Sequence, residues 1–416
     1  MSRDVIEVYA DWLPIEKPLL LGHLTYSDSN RGGVFSFSYN KDFLKSPYRL
    51  QIDPMLTLHT GNLFNDEPDK NFRVFLDSSP DRWGRILMQR RAAIEARKGI
   101  RESSRLTELD YLLGVHDSYR MGGIRFKRSG DPDFLDNNSE LAAPPLASLR
   151  ELEFAAMQIE KDHDIDGDEY YRWLKMLISP GSSLGGARPK ACVTDENNHL
   201  WIAKFPNAND THDVGAWEMV CYELAVAAGI DMFPSEVRKL SSHHHTFLTK
   251  RFDREGHARL HFSSAMTQLQ YYDGESSQGA SYLEIAEFLS THGAQTKQDL
   301  AQLWRRIVFN IAVSNTDDHL RNHGFLLTSK GWKLSPAYDL NPSVGKQGLH
   351  LNISDTDNTL DYQLAFDVKD FFRLSQEEAV EIYDQVLDSV RQWQDVAKRL
   401  GISRSEQVMQ QLAFNI

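Results

Sequence analysis

Asp317, Asn322 and Asp339 are the residues of this chain best suited, by type and order, to do chemistry. Asp317 and Asn322 stand five residues apart in Asn315-Thr316-Asp317-Asp318-His319-Leu320-Arg321-Asn322, just past a strongly apolar helical run. Asp339 follows in Ser335-Pro336-Ala337-Tyr338-Asp339. A carboxylate can accept the proton of an attacking hydroxyl. An Asn oxygen and a second carboxylate can hold Mg²⁺ against phosphate groups. That division of labour is the one used in phosphoryl transfer from ATP.

Phosphoryl transfer also needs the phosphates cradled and their charge neutralised. Residues 181–190 supply Ser182, Ser183, Gly185 and Gly186, small residues whose backbone N–H groups can approach phosphate. Lys204 ends an apolar strand and suits a phosphate anchor, which Glu218 on the next helix could hold in position. Lys250-Arg251-Phe252-Asp253 reads as a hinge between two halves. Its backbone could bind an adenine edge, and Asp253 could accept from a ribose hydroxyl. Taken singly, each feature has a plainer reading: a Gly-Gly turn, a solvated Lys, a surface Glu, a helix cap at Asp317, turn chemistry at Asp339. The ordered set favours phosphoryl transfer. Its order and spacing match the catalytic loop and metal-binding Asp of protein kinases, but no His-Arg precedes Asp317 and Leu340-Asn341 follows Asp339. The pattern points to a divergent kinase scaffold.

The elements that must position these residues are legible in outline. Strands are expected at residues 5–10, 19–24 and 34–39, the last alternating with period two. Ser79-Pro80-Asp81 looks like a helix start, with Ser79 as cap and Pro80 at the first helical position, opening a basic helix to about Lys98. That basic face reads as solvated or as a protein contact. A hairpin is expected from residues 191–194 and 200–204 around a turn at 196–198. A helix follows from Val214 to Ala228, ended by Gly229. Leu300, Leu303, Trp304, Ile307, Val308 and Ile311 recur at helical spacing. Ser375-Gln376-Glu377-Glu378 is a capping box. The segments divide into an α+β subdomain (1–130), a linker (131–149), a nucleotide-binding lobe (150–275) and a helical lobe carrying the catalytic and metal-binding segments (276–416).

Composition sets the bounds. A chain of 416 residues with 41% hydrophobic and 25% charged residues is globular and too long for one core. A net charge of −13 disfavours autonomous, non-specific binding to nucleic-acid phosphate. Cys192 and Cys221 form no CxxC pair, so a reducing compartment is expected. No apolar run suits a signal peptide or a bilayer span, and a cytoplasmic protein without membrane contact is expected. His243-His244-His245 cannot all face one ion and reads as an exposed turn. His319 and His323 stand four apart without an HExxH pattern, so they are expected only to support the site.

With these residues assembled, the chain resembles the HipA family of bacterial serine/threonine kinases, the toxin halves of toxin–antitoxin pairs. The resemblance runs through Ser79-Pro80-Asp81-Arg82-Trp83-Gly84-Arg85, Ser183-Leu184-Gly185-Gly186-Ala187-Arg188-Pro189-Lys190, Ile202-Ala203-Lys204-Phe205-Pro206, Arg251-Phe252-Asp253-Arg254 and the Asp317, Asn322 and Asp339 segments. It implies an α+β, divergent two-lobed protein-kinase-like fold with an extra N-terminal subdomain and a mainly helical C-terminal lobe. It implies ATP and Mg²⁺ as cofactors and a protein substrate, an aminoacyl-tRNA synthetase in characterised members, with growth arrest or persistence as the outcome. It also implies autophosphorylation of the Gly-rich loop on Ser183 or Ser182, where phosphate would repel those of ATP. A small helix-turn-helix antitoxin would be the partner, with DNA reached only through it. The rival readings are a small-molecule or lipid kinase on the same fold, and a DNA-associated corepressor with a vestigial ATP site.

Overall fold

Alternating apolar residues in the first three strands build one face of an antiparallel sheet. In the computed structural model, which describes residues 3–27, 33–67, 70–138, 143–161, 168–178, 188–274 and 279–416, these strands are Arg3–Ala10, Leu19–Ser27 and Val34–Tyr39. Leu63–Phe64 extends the sheet beside Val34–Tyr39, and Ile124–Arg128 closes its other edge beside Arg3–Ala10. Ile6, Val8, Leu24, Phe37 and Phe126 are fully buried. Phe75 packs against Phe37 and Phe126 at ring distances of 5.8 and 5.7 Å. Each such side chain contributes about 1.5–3 kcal/mol when fully buried. The expected α+β class is what the chain adopts.

The chain forms two compact units, Met1–Ala208 with Asp253–Ser263, and Asn209–Phe252 with Ser264–Ile416. The segment expected as a nucleotide lobe, 150–275, contributes to both. In the first unit the returning segment is held by specific bonds. Asp253 Oδ2 accepts the Gly122 N–H at 2.8 Å, Arg259 donates to Asp117 O at 2.7 Å, and Leu13 N–H donates to Arg259 O at 3.0 Å.

The basic helix spans Arg82–Arg97, and its start differs from expectation. Asp81 is the N-cap, its Oδ1 accepting from Gly84 N–H at 2.8 Å. Ser79 instead belongs to the end of the short helix Arg73–Leu76, its hydroxyl donating to Phe75 O at 2.9 Å. The basic side chains are largely engaged within the unit. Arg85 forms a two-pronged pair with Glu108, and Arg90 donates to Ile159 O and to the Tyr170 hydroxyl.

The hairpin is Lys190–Thr194 with Leu200–Lys204. Asn198 has φ +60° in its turn, and Asp195 Oδ1 ties that turn by accepting from Asn197 and His199 N–H. Burial opposes ionisation of Asp195, but these donors and His199 and Trp201 draw its pKa down to about 2.

In the second unit the helix Thr296–Ala312 buries Leu300, Leu303, Trp304, Ile307, Val308 and Ile311 completely, on the spacing read from the sequence. Trp217, Trp393 and Phe414 form a second cluster, with Trp393 and Phe414 stacked at 4.3 Å. The helix Val214–Ala227 is ended at Gly229, φ +77°. The capping box at Ser375 opens the helix Gln376–Val390. Cys192 and Cys221 are both buried, and neither is in a disulfide bond. No helix among the described residues is long and apolar enough to cross a membrane.

Candidate active site

The helix Thr296–Ala312 stops where the chemistry begins. Asn315 N–H donates to Asn310 O at 2.9 Å and Ser314 N–H to Ile311 O at 3.2 Å, the paired bonds of a left-handed helix ending. The left-handed position is Ser314, φ +49°, where glycine is usual. Ser314 O then accepts from Thr316 and Ser343 N–H, which fixes the reversal.

The next residues form a tight loop. His319 N–H donates to Asp317 O at 3.0 Å, Asn322 N–H to His319 O at 2.8 Å, and Asn322 Nδ2 to Asp317 O at 3.1 Å. Asp317 is exposed and Asp318 is buried. Asp318 Oδ2 accepts from the Tyr282 hydroxyl at 2.5 Å and from Asn310 Nδ2 at 2.7 Å, and lies 2.8 Å from His323 Nε2. Burial alone would raise this carboxyl, but the adjacent His323 and the Tyr282 hydroxyl hold it below its ordinary value. The same burial and the Asp318 charge push the Tyr282 phenol far up.

Asp339 follows the hairpin Gly324–Thr328 and Gly331–Leu334. Its φ of +61° is left-handed, a conformation that Asp tolerates. Asn341 Nδ2 donates to Asp339 Oδ1 at 3.3 Å. The Tyr338 hydroxyl donates to Arg321 O at 2.8 Å and so ties the Asp339 segment to the loop that carries Asn322. Buried Arg306 donates to Ser335 O at 2.5 Å, and burial lowers its pKa to about 10. Phe252 stacks on Tyr338 at 5.5 Å.

Of the residues singled out in the sequence, the second unit therefore brings together Asp317, Asn322, Asp339 and Phe252. Lys250 lies in the same unit at the end of the strand His245–Lys250, and Glu218 is buried on the helix Val214–Ala227. Lys204 and Asp253 belong to the first unit. Lys204 is half-buried opposite Lys190 in the hairpin. Lys190 pairs with Asp81 at 2.9 Å, both side chains nearly inaccessible. Asp253 is fully buried, and a ribose hydroxyl would compete for its Oδ2 with the Gly122 N–H and with Arg254. Ser182, Ser183, Gly185 and Gly186 lie outside the described residues.

The donor set suits a small hard cation. Asn322 Oδ1 and Asn341 Oδ1 are buried, with no hydrogen-bond partner among the described residues. Mg²⁺ is commonly held by one or two protein carboxylates together with phosphate oxygens. No group of three or more His, Cys, Asp or Glu that could hold a metal occurs among the described residues, the His243–His245 run included. Asn322 and Asp339, the pair expected to hold Mg²⁺, would not form a group of that kind. His245 instead lies 2.6 Å from Asp213, the N-cap of its neighbouring helix.

Sequence reasoning missed Tyr282 and Asn310 and gave His323 only a vague supporting part. The available signal was Asn310, a polar side chain on the apolar stripe of its helix.

Known proteins resemble this architecture. A family model described as the HipA-like C-terminal domain matches residues 182–394. A Sinorhizobium fredii (strain NBRC 101917 / NGR234) protein named Y4mE, described provisionally as a kinase, is 30% identical over 152 residues, 34% of this chain. The match spans only 34% of that relative's length. The HipA structure from Shewanella oneidensis MR-1, solved with HipB and operator DNA, superposes with a TM-score of 0.67 at 16% identity, covering 98% of this chain and 94% of that one. That likeness establishes a shared fold. With just over half of its length matched by the family model, the chain belongs to the HipA-like C-terminal domain family.

Proposed function

We propose that this chain is an ATP-dependent serine/threonine-protein kinase that uses Mg²⁺. The observation that carries the reading is the pairing in one loop of an exposed carboxylate, Asp317, with a buried amide oxygen, Asn322 Oδ1, that has no hydrogen-bond partner among the described residues. Asp317 would orient a substrate hydroxyl and take its proton as the hydroxyl oxygen attacks the γ-phosphorus and the bond to the β–γ bridging oxygen breaks. Asn322 and Asp339 would hold Mg²⁺, which neutralises charge on the phosphate oxygens when bound. Lys204 would contact phosphate, with Glu218 as its positioning partner. Phe252 and the backbone near Lys250 would meet the adenine.

The family resemblance supports the finer parts. The substrate would be a protein, with an aminoacyl-tRNA synthetase the first to test. Ser183 or Ser182 would be the autophosphorylation site. The Shewanella HipA was solved with HipB and DNA, which supports a small helix-turn-helix antitoxin as partner and DNA contact through that antitoxin only.

The test is transfer of label from γ-labelled ATP with Mg²⁺ by purified protein, mapped by mass spectrometry, beside Asp317→Asn. Label on Ser182, Ser183 or an added synthetase, in wild type only, is the expected result. Equal labelling by Asp317→Asn, or none by wild type with any of these acceptors, would sink the reading.

A further inference from the structure

The loop contains two adjacent carboxylates, and the fold treats them in opposite ways. We infer that Asp318, with Tyr282, Asn310 and His323, is a positioning device that fixes the loop so that Asp317 stays exposed and Asn322 stays buried. The inference rests on the kinase reading for its catalytic consequence, but its structural core does not.

Three separate parts of the second unit converge on one oxygen. Tyr282 comes from the first turn of the helix Tyr282–His292, Asn310 from the last turn of Thr296–Ala312, and His323 from just past the loop itself. All reach Asp318 Oδ2. Asn310 has a second duty, since its Oδ1 accepts from Asn315 Nδ2 at 3.0 Å, and Asn315 Oδ1 in turn accepts from Asn341 N–H at 3.4 Å. One connected network thus runs from Asp318 to the residue that donates to Asp339. Asp318, Asn310, Asn315, Tyr282 and His323 are almost wholly inaccessible. They cannot meet a protein substrate without the loop unfolding, so any effect they have on transfer must pass through Asp317, Asn322 and Asp339.

A charged group anchored by three donors is a stiff pivot, because removing one donor leaves a buried carboxylate less well satisfied. Pre-organised geometry of this kind is what catalytic loops need, and small displacements are costly.

The experiment compares wild type with Tyr282→Phe, His323→Leu and His323→Gln. Gln can present an amide N–H to Asp318 where Leu cannot. Two quantities are measured: hydrogen exchange of the 315–323 backbone amides, and kcat and KM for ATP. We expect Tyr282→Phe and His323→Leu to speed exchange in this loop at least tenfold without changing it in the Trp217–Trp393 core. We expect kcat to fall at least tenfold with KM for ATP within twofold of wild type, and His323→Gln to recover most of both. Unchanged loop exchange in folded Tyr282→Phe and His323→Leu would overturn the inference, as would a uniform loss spread over the whole unit. If wild type transfers no phosphate, the kinase reading fails; a loop loosened selectively in the variants would still support the positioning role.

Discussion

Asp317 and Asp318 are chemically identical neighbours whose surroundings assign them different work. Spacing alone singled out Asp317, since only it stands five residues before Asn322. What spacing could not show is that Asp318 turns inward and has its charge compensated by residues from two distant helices. That compensation has a pH signature. The folded Asp318 carboxyl is held below its ordinary value, so its contribution to stability is present above the usual carboxylate range and is lost as pH falls through the folded value. Asp318→Asn is therefore expected to unfold more easily at pH 7, yet to lose less further stability than wild type on acidification below pH 4, as read by denaturant titrations at several pH values. Asn322 makes a different prediction. Loss of even the outer partners of a metal site costs about 10–100-fold in affinity. Asn322→Ala, which removes the oxygen proposed as ligand, is expected to raise the Mg²⁺ concentration needed for half-maximal transfer by at least that factor. An unchanged Mg²⁺ requirement would remove Asn322 from the metal site.

Elements show where local rules sufficed and where they failed. The helix Thr296–Ala312 and the hairpin Lys190–Thr194 with Leu200–Lys204 lay where periodicity and turn residues put them, because each is specified by its own side chains. The start of Arg82–Arg97 was misplaced by two residues. Ser79 and Asp81 are both good caps, and the choice went to Asp81 while Ser79 serves the preceding helix. Asp81 has a second, non-local role that no local pattern announces: its Oδ2 pairs with Lys190, across more than a hundred residues, in a nearly inaccessible site. Breaking a buried pair by removing one partner costs about 3–5 kcal/mol, because the other charge is left stranded. Lys190→Met is therefore expected to destabilise the first unit by roughly that amount, and Asp81→Asn/Lys190→Met to destabilise it by less than Lys190→Met alone. Chemical denaturation of wild type, both single variants and the double variant would measure the coupling; additive losses would mean that the pair carries no mutual energy.

At the scale of the whole molecule, the first unit is not continuous in sequence. Four linear segments were expected from shifts in composition, but composition cannot reveal a chain that leaves a unit at Ala208 and returns at Asp253. The return is specified by side chains that look unremarkable in the sequence. Arg259 donates to Asp117 O and lies close to the Asp117 carboxylate, and burial lowers its pKa to about 10 although that carboxylate favours the charged form. Asp253 receives the Gly122 N–H and the Arg254 guanidinium. Gly122 itself has φ +73°, a conformation that favours glycine, and a side chain there would crowd the Phe262 backbone at 3.1 Å, so the returning segment packs tightly against it. A fragment ending at residue 208 would lose every one of these bonds and leave buried Asp117 without Arg259, although Arg125 would remain beside it. Buried polar groups stripped of partners cost about 1–3 kcal/mol each, a large share of a domain's net stability. The fragment 1–208 is accordingly expected to give a broad, non-cooperative thermal transition and fast exchange of the Gly122–Arg125 amides. Appending residues 253–263 through a flexible linker should restore a cooperative transition and slow that exchange. Equal behaviour of the two fragments would show that the returning segment is an ornament on the first unit rather than part of its core.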